Sequence, residues 1–552
     1  ENFSTYATLP QPKIRSVYIE LDFFSESQNF SAKGKYKLIN PYDFPIDTLL
    51  IKGGFDEITQ VNLERPYEVI AEDIAMKFQV LKLNKSLAAS DSMVLEFEVR
   101  NQANTFFSRN SNVLRNGSIL GQDAFPRLVY PDDGPAPMPT DSSSKQRHYQ
   151  ATDAGLIQFE TVVSTPSDQI GLAPGTLQGT WKKGNRQYAH YKVNAPMEYS
   201  FGFHAGNFTL RSEQWQDIKL DIYHHPSHVY NLEDMLEGIK ASLSYNQKHF
   251  SIFQHEAASI VEFPNSEGSF ATTYGNIVPM SEVRFLAKIE EGDQKVNLPF
   301  YVPAHELTHQ WWGSQLLPAH AQGALMLTES ISEYITLNIY REQFGQETAQ
   351  QFLALQRGRY LSGRTGEQDE ERPLMYVKSD QSYIAYGKGA LAFHTLSHYL
   401  GEAQLNQILK TFLEQYRYQE APYPTTLDLM ELMEQEVPDS LDFILDDYFK
   451  QVVFHDTYIE SATVKPGTEN SFEVILEIAY QKTGAKRTNQ FNDLLEIGFY
   501  NGQQELIELK KVRVRTGTQQ LRFSLSERPA RIELDPNILL IELDRENNQR
   551  TL

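Results

Sequence analysis

The sequence contains no cysteine. Disulfide bonds, thiolate metal sites and cysteine nucleophiles are therefore excluded. Long apolar runs are also missing, because no uninterrupted stretch reaches the ~18 residues that a transmembrane helix needs. The chain opens on Glu1 rather than methionine, and no charged segment followed by an apolar one stands at its start. We therefore expect a processed protein or an excised soluble domain.

Positive charge is scarce in this chain. Its 552 residues include 50 Lys+Arg and 72 Asp+Glu, which gives a formal net charge of −22 at pH 7. Such a surface repels phosphate backbones and anionic lipids, so we expect no nucleic-acid partner and no direct membrane insertion of this segment. Apolar residues are not scarce, since 40% of the chain is hydrophobic and 12% aromatic, which excludes a disordered protein.

The pattern of the chain changes twice along its length. Over the first two hundred residues, β-branched and aromatic residues either alternate with polar ones or cluster, as in SVYIELDF at 16–23. This pattern predicts strands. Helical spacing begins with NLEDMLEGIK at 231–240. Strands return with SFEVILEIAY at 471–480, as in a small antiparallel sandwich. We predict a multidomain α+β fold with a β domain at 1–208, a mostly helical domain at 209–456 and a β-sandwich at 457–552. Helices are predicted at 303–316, 329–344, 346–360, 385–399, 403–417 and 426–436.

The stretch HELTHQWWG, which starts at His305, carries two histidines four residues apart. We predict a helix with Pro303 in its first turn and Pro318 at its stop. His305 and His309 then lie about 40° apart around the helix axis and can hold one ion. Glu306, about 100° further round, can approach a water at that ion as a general base, which is the chemistry of the H-E-x-x-H pattern. The alternative is a helix with two structural histidines.

A catalytic metal needs a third protein ligand and an open fourth position. Glu329 follows Thr328, a suitable N-cap, in the first turn of the next predicted helix, and an antiparallel packing would bring Glu329 to the ion. For Glu333, one turn later, we predict a structural or supporting role near the helix N-terminus. His320 in the intervening loop is the rival ligand, disfavoured because loops position ligands less well. Two imidazoles and one carboxylate favour zinc over calcium or magnesium.

These residues resemble the zinc site of the M1 aminopeptidases, the gluzincin family of aminopeptidase N and leukotriene A4 hydrolase. YGKGA at 386–390 is similar to the family's Y-x-K-G-A, and PRLVYP at 126–131 is similar to its A-R-x-x-F-P. The resemblance covers nearly the whole chain. It implies an N-terminal β saddle, a thermolysin-like helical catalytic domain and a C-terminal β-sandwich.

The resemblance also implies an activity and a cofactor. One zinc ion per chain would be held by His305, His309 and Glu329. Glu306 would activate the zinc-bound water, and Tyr386 would donate a hydrogen bond to the oxyanion of the tetrahedral intermediate. The implied reaction is the hydrolysis of a peptide substrate with release of its N-terminal residue.

Two departures from the family pattern matter. Nineteen residues rather than eighteen separate His309 from Glu329. We keep Glu329 as the ligand, because threonine at 328 is a poor zinc ligand and a one-residue loop insertion costs little. The family's G-x-M-E-N segment is missing, and Thr273 stands where the family has the glutamate that grips the substrate's α-amine.

Substrate contacts are predicted from the same resemblance. Thr273, Tyr274 and Gly275 could still form the strand edge along which a peptide lies. Gln122 stands where the family places an amine- or carbonyl-binding residue. Glu267 and Glu282 are the candidates for the missing negative charge, and the sequence does not choose between them.

Two other functions stay open. One is a zinc hydrolase that needs no free amine, and the other is an inactive peptide-binding or scaffold module on the same fold. The divergent pattern is similar to peptidase-like domains that some bacteria fuse to a membrane permease. That similarity implies a bacterial protein with such a fused or associated permease, and it favours an extracytoplasmic location over a cytoplasmic one.

A second group of histidines lies in YHHPSHVY. For His224, His225 and His228 we predict capping of a strand-to-helix turn rather than a metal site.

Overall fold

The computed structural model describes residues 3–54, 57–101, 112–130, 135–151, 153–288, 296–468, 471–484 and 493–552. The chain forms two compact units. The first comprises Glu1–Ala321 and Lys410–Thr425, and the second comprises Gln322–Leu409 and Thr426–Leu552. None of the helices in the described ranges is long and apolar enough to cross a membrane. The division into three domains stays a prediction.

Strands dominate the first unit. In its first strand, buried Val17, Ile19 and Leu21 alternate with more exposed neighbours, as expected when one face of a sheet covers a core. The strands are β1 (Lys13–Phe24), β2 (Asn29–Ile39), β3 (Ile46–Lys52), β4 (Glu57–Leu63), β5 (Tyr67–Asp73), β6 (Phe78–Leu87), β7 (Ser92–Asn101), β8 (Ser118–Gly121), β9 (Ala154–Pro166), β10 (Ile170–Leu172), β11 (Thr176–Lys183), β12 (Arg186–Lys192), β13 (Gly202–Gly206), β14 (Thr209–Trp215), β15 (Ile218–His224), β16 (Ala257–Phe263) and β17 (Ile277–Ser281).

These strands pair into four sheets. The largest has the order β11-β12-β9-β1-β2-β7-β4, and only its β1–β9 pair is parallel among the described pairs. Two three-stranded sheets have the orders β10-β13-β8 and β3-β6-β5. The fourth sheet, β14-β15-β16-β17, is parallel from β15 to β17, so the carboxyl ends of these three strands meet at one edge.

Helix α1 (Leu232–His249) packs in the first unit against α3 (Leu298–Thr308), and the short α2 (Glu282–Phe285) follows β17. The prediction of a helix over 303–316 is wrong at both ends, because α3 spans Leu298–Thr308. Asn297 caps the N-terminus by accepting a hydrogen bond from Phe300 N–H at 3.1 Å, and Pro299 occupies the first turn instead of Pro303.

The second unit contains most of the other helices, and α7 runs from it into the first. They are α4 (Ile331–Phe344), α5 (Gln346–Thr365), α6 (Gly389–Leu400), α7 (Glu402–Tyr416), α8 (Thr426–Glu436) and the short α9 (Asp442–Ile444). Three π-helical segments adjoin them: Met326–Ser330 runs into α4, Ile384–Lys388 into α6, and Leu445–Lys450 follows α9. Thr328 is therefore not an N-cap, because it lies inside the first π-helical segment.

The last hundred residues form the predicted β-sandwich. Its strands are β18 (Phe454–Pro466), β19 (Phe472–Thr483), β20 (Asp493–Tyr500), β21 (Leu506–Val514), β22 (Gly517–Leu525), β23 (Arg531–Leu534) and β24 (Gln549–Thr551). They pair in the orders β18-β19-β22 and β21-β20-β23-β24 and enclose an apolar core that includes Leu476, Ile478 and Ile497. The multidomain α+β fold predicted from the sequence is confirmed.

Candidate metal centre

The two histidines of the H-E-x-x-H pattern point at the same place. Nε2 of His305 and Nε2 of His309 are 3.1 Å apart, and both side chains are buried. Two ligands of a tetrahedral zinc ion, each at 2.0–2.1 Å from the metal, lie about 3.3 Å apart. The spacing of the two nitrogens therefore fits a shared ion.

His309 is oriented by the turn that follows α3. Its Nδ1 lies 3.1 Å from the backbone oxygen of Trp312, and a proton on Nδ1 leaves the lone pair of Nε2 free for a metal. Gly313 has φ +143°, where L side chains are strained, and a Cβ there would stand 3.3 Å from the backbone oxygen of His309. Glycine at position 313 therefore allows the chain to turn tightly after α3, close to the backbone of His309.

A buried hydrogen-bond network fixes α3 against α1. Thr308 Oγ1 lies 3.0 Å from Ser242 Oγ, accepts from Asn246 Nδ2 at 3.2 Å and donates to the backbone oxygen of Ala304 at 2.8 Å. All three polar side chains are fully buried. Because Thr308 precedes His309, this network holds the C-terminal turn of α3 and the histidine at its end.

Glu306 is partly buried on the same helix. It lies close enough to Tyr274 to contribute to the raised pKa of that phenol, which burial, Asp123 and Glu306 together bring to about 12. The first unit therefore brings together His305, His309, Glu306 and the predicted substrate-binding Tyr274.

The segment that replaces G-x-M-E-N folds back along β17. Thr272 N–H donates to Pro279 O at 3.1 Å, and Tyr274 and Ile277 exchange backbone hydrogen bonds of 2.8 and 2.9 Å. Gly275, at φ +50°, makes the turn between them. Because hydrogen-bonding residues alternate in an antiparallel pair, the backbone groups of Thr273 point away from β17. The segment, rather than β17 itself, forms the outer edge here.

The side chain of Thr273 is engaged by the turn after α3. Its Oγ1 accepts a hydrogen bond from Gln310 Nε2 at 3.0 Å, and Gln310 is fully buried. Thr273 is therefore held in place by the residue that directly follows His309.

The other predicted substrate residues have structural contacts. Gln122 Oε1 accepts from the backbone N–H of Phe201 at 3.1 Å. Glu282 Oε1 lies 3.8 Å from His228 Nε2, at the opposite end of β17 from Tyr274. Burial raises the pKa of Glu267, which ends a short 3-10 turn. None of these contacts brings a carboxylate close to Thr273.

A buried carboxyl group that the sequence analysis missed is Glu198. It is 1% exposed, and it accepts a hydrogen bond from Ser314 Oγ at 3.0 Å. Burial raises its pKa to about 7 against the opposing effects of Ser314, the Gly275 N–H and His309. The signal in the sequence was an isolated acidic residue within the largely apolar stretch PMEYSFGF.

Glu329 and Tyr386 belong to the second unit, and each lies on a π-helical segment. The two segments are joined where they pack, because Ser330 Oγ donates to the backbone oxygen of Ala385 at 2.6 Å. The Arg359 guanidinium lies 3.9 Å from the centre of the Tyr386 ring. π-Helical turns inside helices occur frequently at functional sites, and both residues picked from the sequence stand on one.

Glu333 and His320 have other surroundings. Glu333 is fully buried and accepts from Gln356 Nε2 at 2.8 Å, which agrees with a structural role. His320 lines a pocket of the first unit beside Lys13 and Arg147, and burial and Arg147 lower its pKa. Among the described residues, His320 joins no group of potential ligands with His305 and His309.

Residues 238–448 match the family model described as the peptidase family M1 domain. The chain contains an M1 peptidase domain. This match covers the histidine helix and both π-helical segments that carry Glu329 and Tyr386, and it confirms the resemblance seen in the sequence.

Two relatives extend the comparison. The probable aminopeptidase 1 of Sulfurisphaera tokodaii is 23% identical over 194 residues, which are 34% of this chain and 24% of that protein. The crystal structure of Legionella pneumophila aminopeptidase A in complex with aspartic acid has the same fold, with a TM-score of 0.62 and 15% identity. That alignment covers 98% of this M1-domain chain and 60% of the Legionella chain.

Proposed function

We propose that this M1-domain protein is a zinc-dependent metallopeptidase that releases N-terminal residues from peptides. The observation that carries the proposal is the 3.1 Å approach of the two Nε2 atoms of His305 and His309. The M1 domain match and the names of the two relatives, both aminopeptidases, support the same reaction.

In this proposal, His305, His309 and Glu329 hold one zinc ion per chain. The donor set suits zinc, because two imidazoles and one carboxylate leave a fourth position open. When bound, zinc would lower the pKa of a water and polarise the scissile carbonyl. The hydrogen bond from His309 to the Trp312 backbone oxygen fixes the ring for this role.

The chain's own residues would carry the proton transfers. Glu306 takes a proton from the attacking water and returns it to the leaving amine. Tyr386 donates a hydrogen bond to the oxyanion that forms at the former carbonyl, which is worth on the order of a few kcal/mol for one such donor. The Arg359 guanidinium against the ring orients this phenol.

Peptide binding is proposed along the segment Thr273–Gly275. Its outward backbone groups can pair with an extended substrate, and Gln122 lies at a neighbouring strand end. Thr273 cannot form an ion pair with a substrate ammonium, and its hydroxyl is already bonded to Gln310. This observation favours a second candidate, a zinc hydrolase that acts on blocked peptides.

The test is hydrolysis of aminoacyl and N-acetyl-aminoacyl fluorogenic amides by the zinc-loaded protein. Glu306→Gln is expected to lower the rate by about 10²-fold or more, as for loss of a general base, while zinc content stays unchanged. Glu237→Gln, an exposed glutamate on α1, is the matched control and should leave the rate unchanged. His305→Ala should lose the zinc itself.

The outcomes separate the candidates. Cleavage of free-amine substrates alone supports the aminopeptidase. Cleavage of blocked substrates alone supports the second candidate. No cleavage by zinc-loaded protein supports a binding or scaffold module. A protein that takes up no zinc would contradict the proposal, because the spacing of His305 and His309 would then reflect a hydrogen bond between the rings. The permease association and the extracytoplasmic location stay predictions.

A further inference from the structure

A second group of potential metal ligands lies where β15, β16 and β17 end. His228 follows β15 in the turn before α1, Glu262 is the penultimate residue of β16, and Glu282 opens α2 directly after β17. Because the three strands run parallel, residues distant in sequence meet at this edge. The sequence alone could not show this meeting.

The imidazole of His228 stands between the two carboxylates. Its Nδ1 is hydrogen-bonded to Glu262 Oε1, and its Nε2 lies 3.8 Å from Glu282 Oε1. Glu262 is 5% exposed, and its other oxygen accepts from the backbone N–H of His225 at 2.7 Å. One oxygen or nitrogen from each of His228, Glu262 and Glu282 lies within 4.8 Å of the others.

A small pocket of about 30 Å³ opens on this group. That is enough space for a water molecule. His225 is at its wall, with its ring centre 4.8 Å from that of His228. Neither lysine nor arginine is among the described residues that line it. The group itself offers one imidazole and two carboxyl groups.

The group is separated from the first pair of histidines. Tyr274, whose pKa is raised in part by the nearby Glu306, precedes β17. Glu282 follows β17 at its other end. The five residues of β17 advance about 3.3 Å each, so roughly 16 Å of strand lies between the two ends.

We propose that His228, Glu262 and Glu282 form a second metal site, for a divalent first-row transition metal such as Zn²⁺. Glu262 accepts the Nδ1–H of His228, which fixes the ring and leaves Nε2 to bind the ion. Glu282 supplies the carboxylate ligand, and its side chain, which is 40% exposed, can close the remaining distance. The ion would tie the loop before α1 to the start of α2.

Capping of the turn is the prediction for His224, His225 and His228, and the contacts of the three side chains differ. His224 is buried, and its Nδ1 lies 2.9 Å from the backbone oxygen of His225, as a capping residue would. His228 instead turns towards the strand ends. This proposal does not depend on the proposed function.

The test is calorimetric titration of Zn²⁺ into chelator-treated full-length chain that carries His305→Ala and His309→Ala. These changes remove the first site, so one remaining zinc per chain is expected. Glu262→Gln should weaken the binding 10- to 100-fold, as for other carboxylates that orient a ligating histidine. Glu282→Gln should weaken it at least tenfold, and Glu267→Gln, in the same region, is the matched control.

A thermal melt with and without Zn²⁺ provides a second readout. The midpoint should rise with zinc in the His305→Ala, His309→Ala parent and in the Glu267→Gln control, and it should rise less in Glu282→Gln. Zinc binding that is unaffected by Glu262→Gln and Glu282→Gln would overturn the proposal. So would a lack of Zn²⁺ binding at millimolar concentrations, which would leave His228 and Glu262 as a hydrogen-bonded pair only.

Discussion

His204 is a fully buried histidine on β13, and neither of its ring nitrogens has a hydrogen-bond partner among the described residues. Burial lowers its pKa from 6.5 to about 3. Below pH 6.5 this histidine is protonated in the unfolded chain but stays neutral in the folded chain. The free energy of unfolding therefore decreases as the pH falls from 6.5 towards 3. Between pH 6.5 and 4.5 the loss is roughly 2–3 kcal/mol.

We expect His204→Leu to remove this loss. Urea unfolding of metal-free protein should show a smaller difference in stability between pH 6.5 and 4.5 in the variant than in the parent. Other buried histidines leave the His204→Leu variant with some acid sensitivity, so the difference between the two proteins is the quantity that tests His204. Equal slopes in both would show that this ring is protonated or hydrated in the folded state.

Some residues of the candidate site can be identified from the sequence, and others only from the fold. The sequence points to His305, Glu306 and His309 because two residues four apart in a helix lie on the same face, one turn apart. Glu198 was missed because its importance comes from the turn at Gly275 and from Ser314, which is far away in sequence. Local patterns identify candidate ligands on one helix, and they do not identify a charged group that the fold brings close to that helix.

In the second unit, the proposed site residues Glu329 and Tyr386 both lie on π-helical segments. Ser330 Oγ donates to Ala385 O, and Gly389 packs so closely on Ser330 that a Cβ would meet its Oγ at 2.2 Å. We expect Ser330→Ala to cost about 1–3 kcal/mol, because a buried carbonyl loses its donor. Peptidase activity should also fall, because the adjoining Glu329 and Tyr386 would be less well held.

Thr336→Val is the matched control for this change. Thr336 is also buried, but its hydroxyl donates to Ser332 O within α4 and joins no second element. Chemical unfolding and kcat should both be little affected in the control. If Ser330→Ala behaves like Thr336→Val, the link between the two segments does not support the site.

Element boundaries were harder to predict than element types. The strands and most helices were found from periodicity, and α8 agrees at both ends. The helix that carries His305 starts at Leu298 because Asn297 caps it, whereas the sequence prediction rested on Pro303 alone. Thr328 looked like a cap because propensity does not distinguish a helix start from a π-helical turn within a longer helix.

At the scale of the whole second unit, one lysine joins its helical part to its β-sandwich. The side chain of Lys482 on β19 is 1% exposed and forms ion pairs with Asp447, on the last π-helical segment, and with Asp493 on β20, the latter at 2.9 Å. Burial raises the pKa of Asp447 to about 6, against the lowering effect of Lys482. The predicted domain boundary at 456 passes between the partners of this network.

We therefore expect Lys482→Met to destabilise the second unit as a whole. Two buried aspartates would lose their counter-charge, at a cost of about 3–5 kcal/mol. Lys465→Met, on the exposed face of β18, is the matched control and should change stability little. Because the network joins helices and sandwich, hydrogen exchange should rise together in α6 and β19 of the Lys482→Met variant. Faster exchange in the sandwich alone would show that the C-terminal strands unfold as an independent domain, as the sequence predicts.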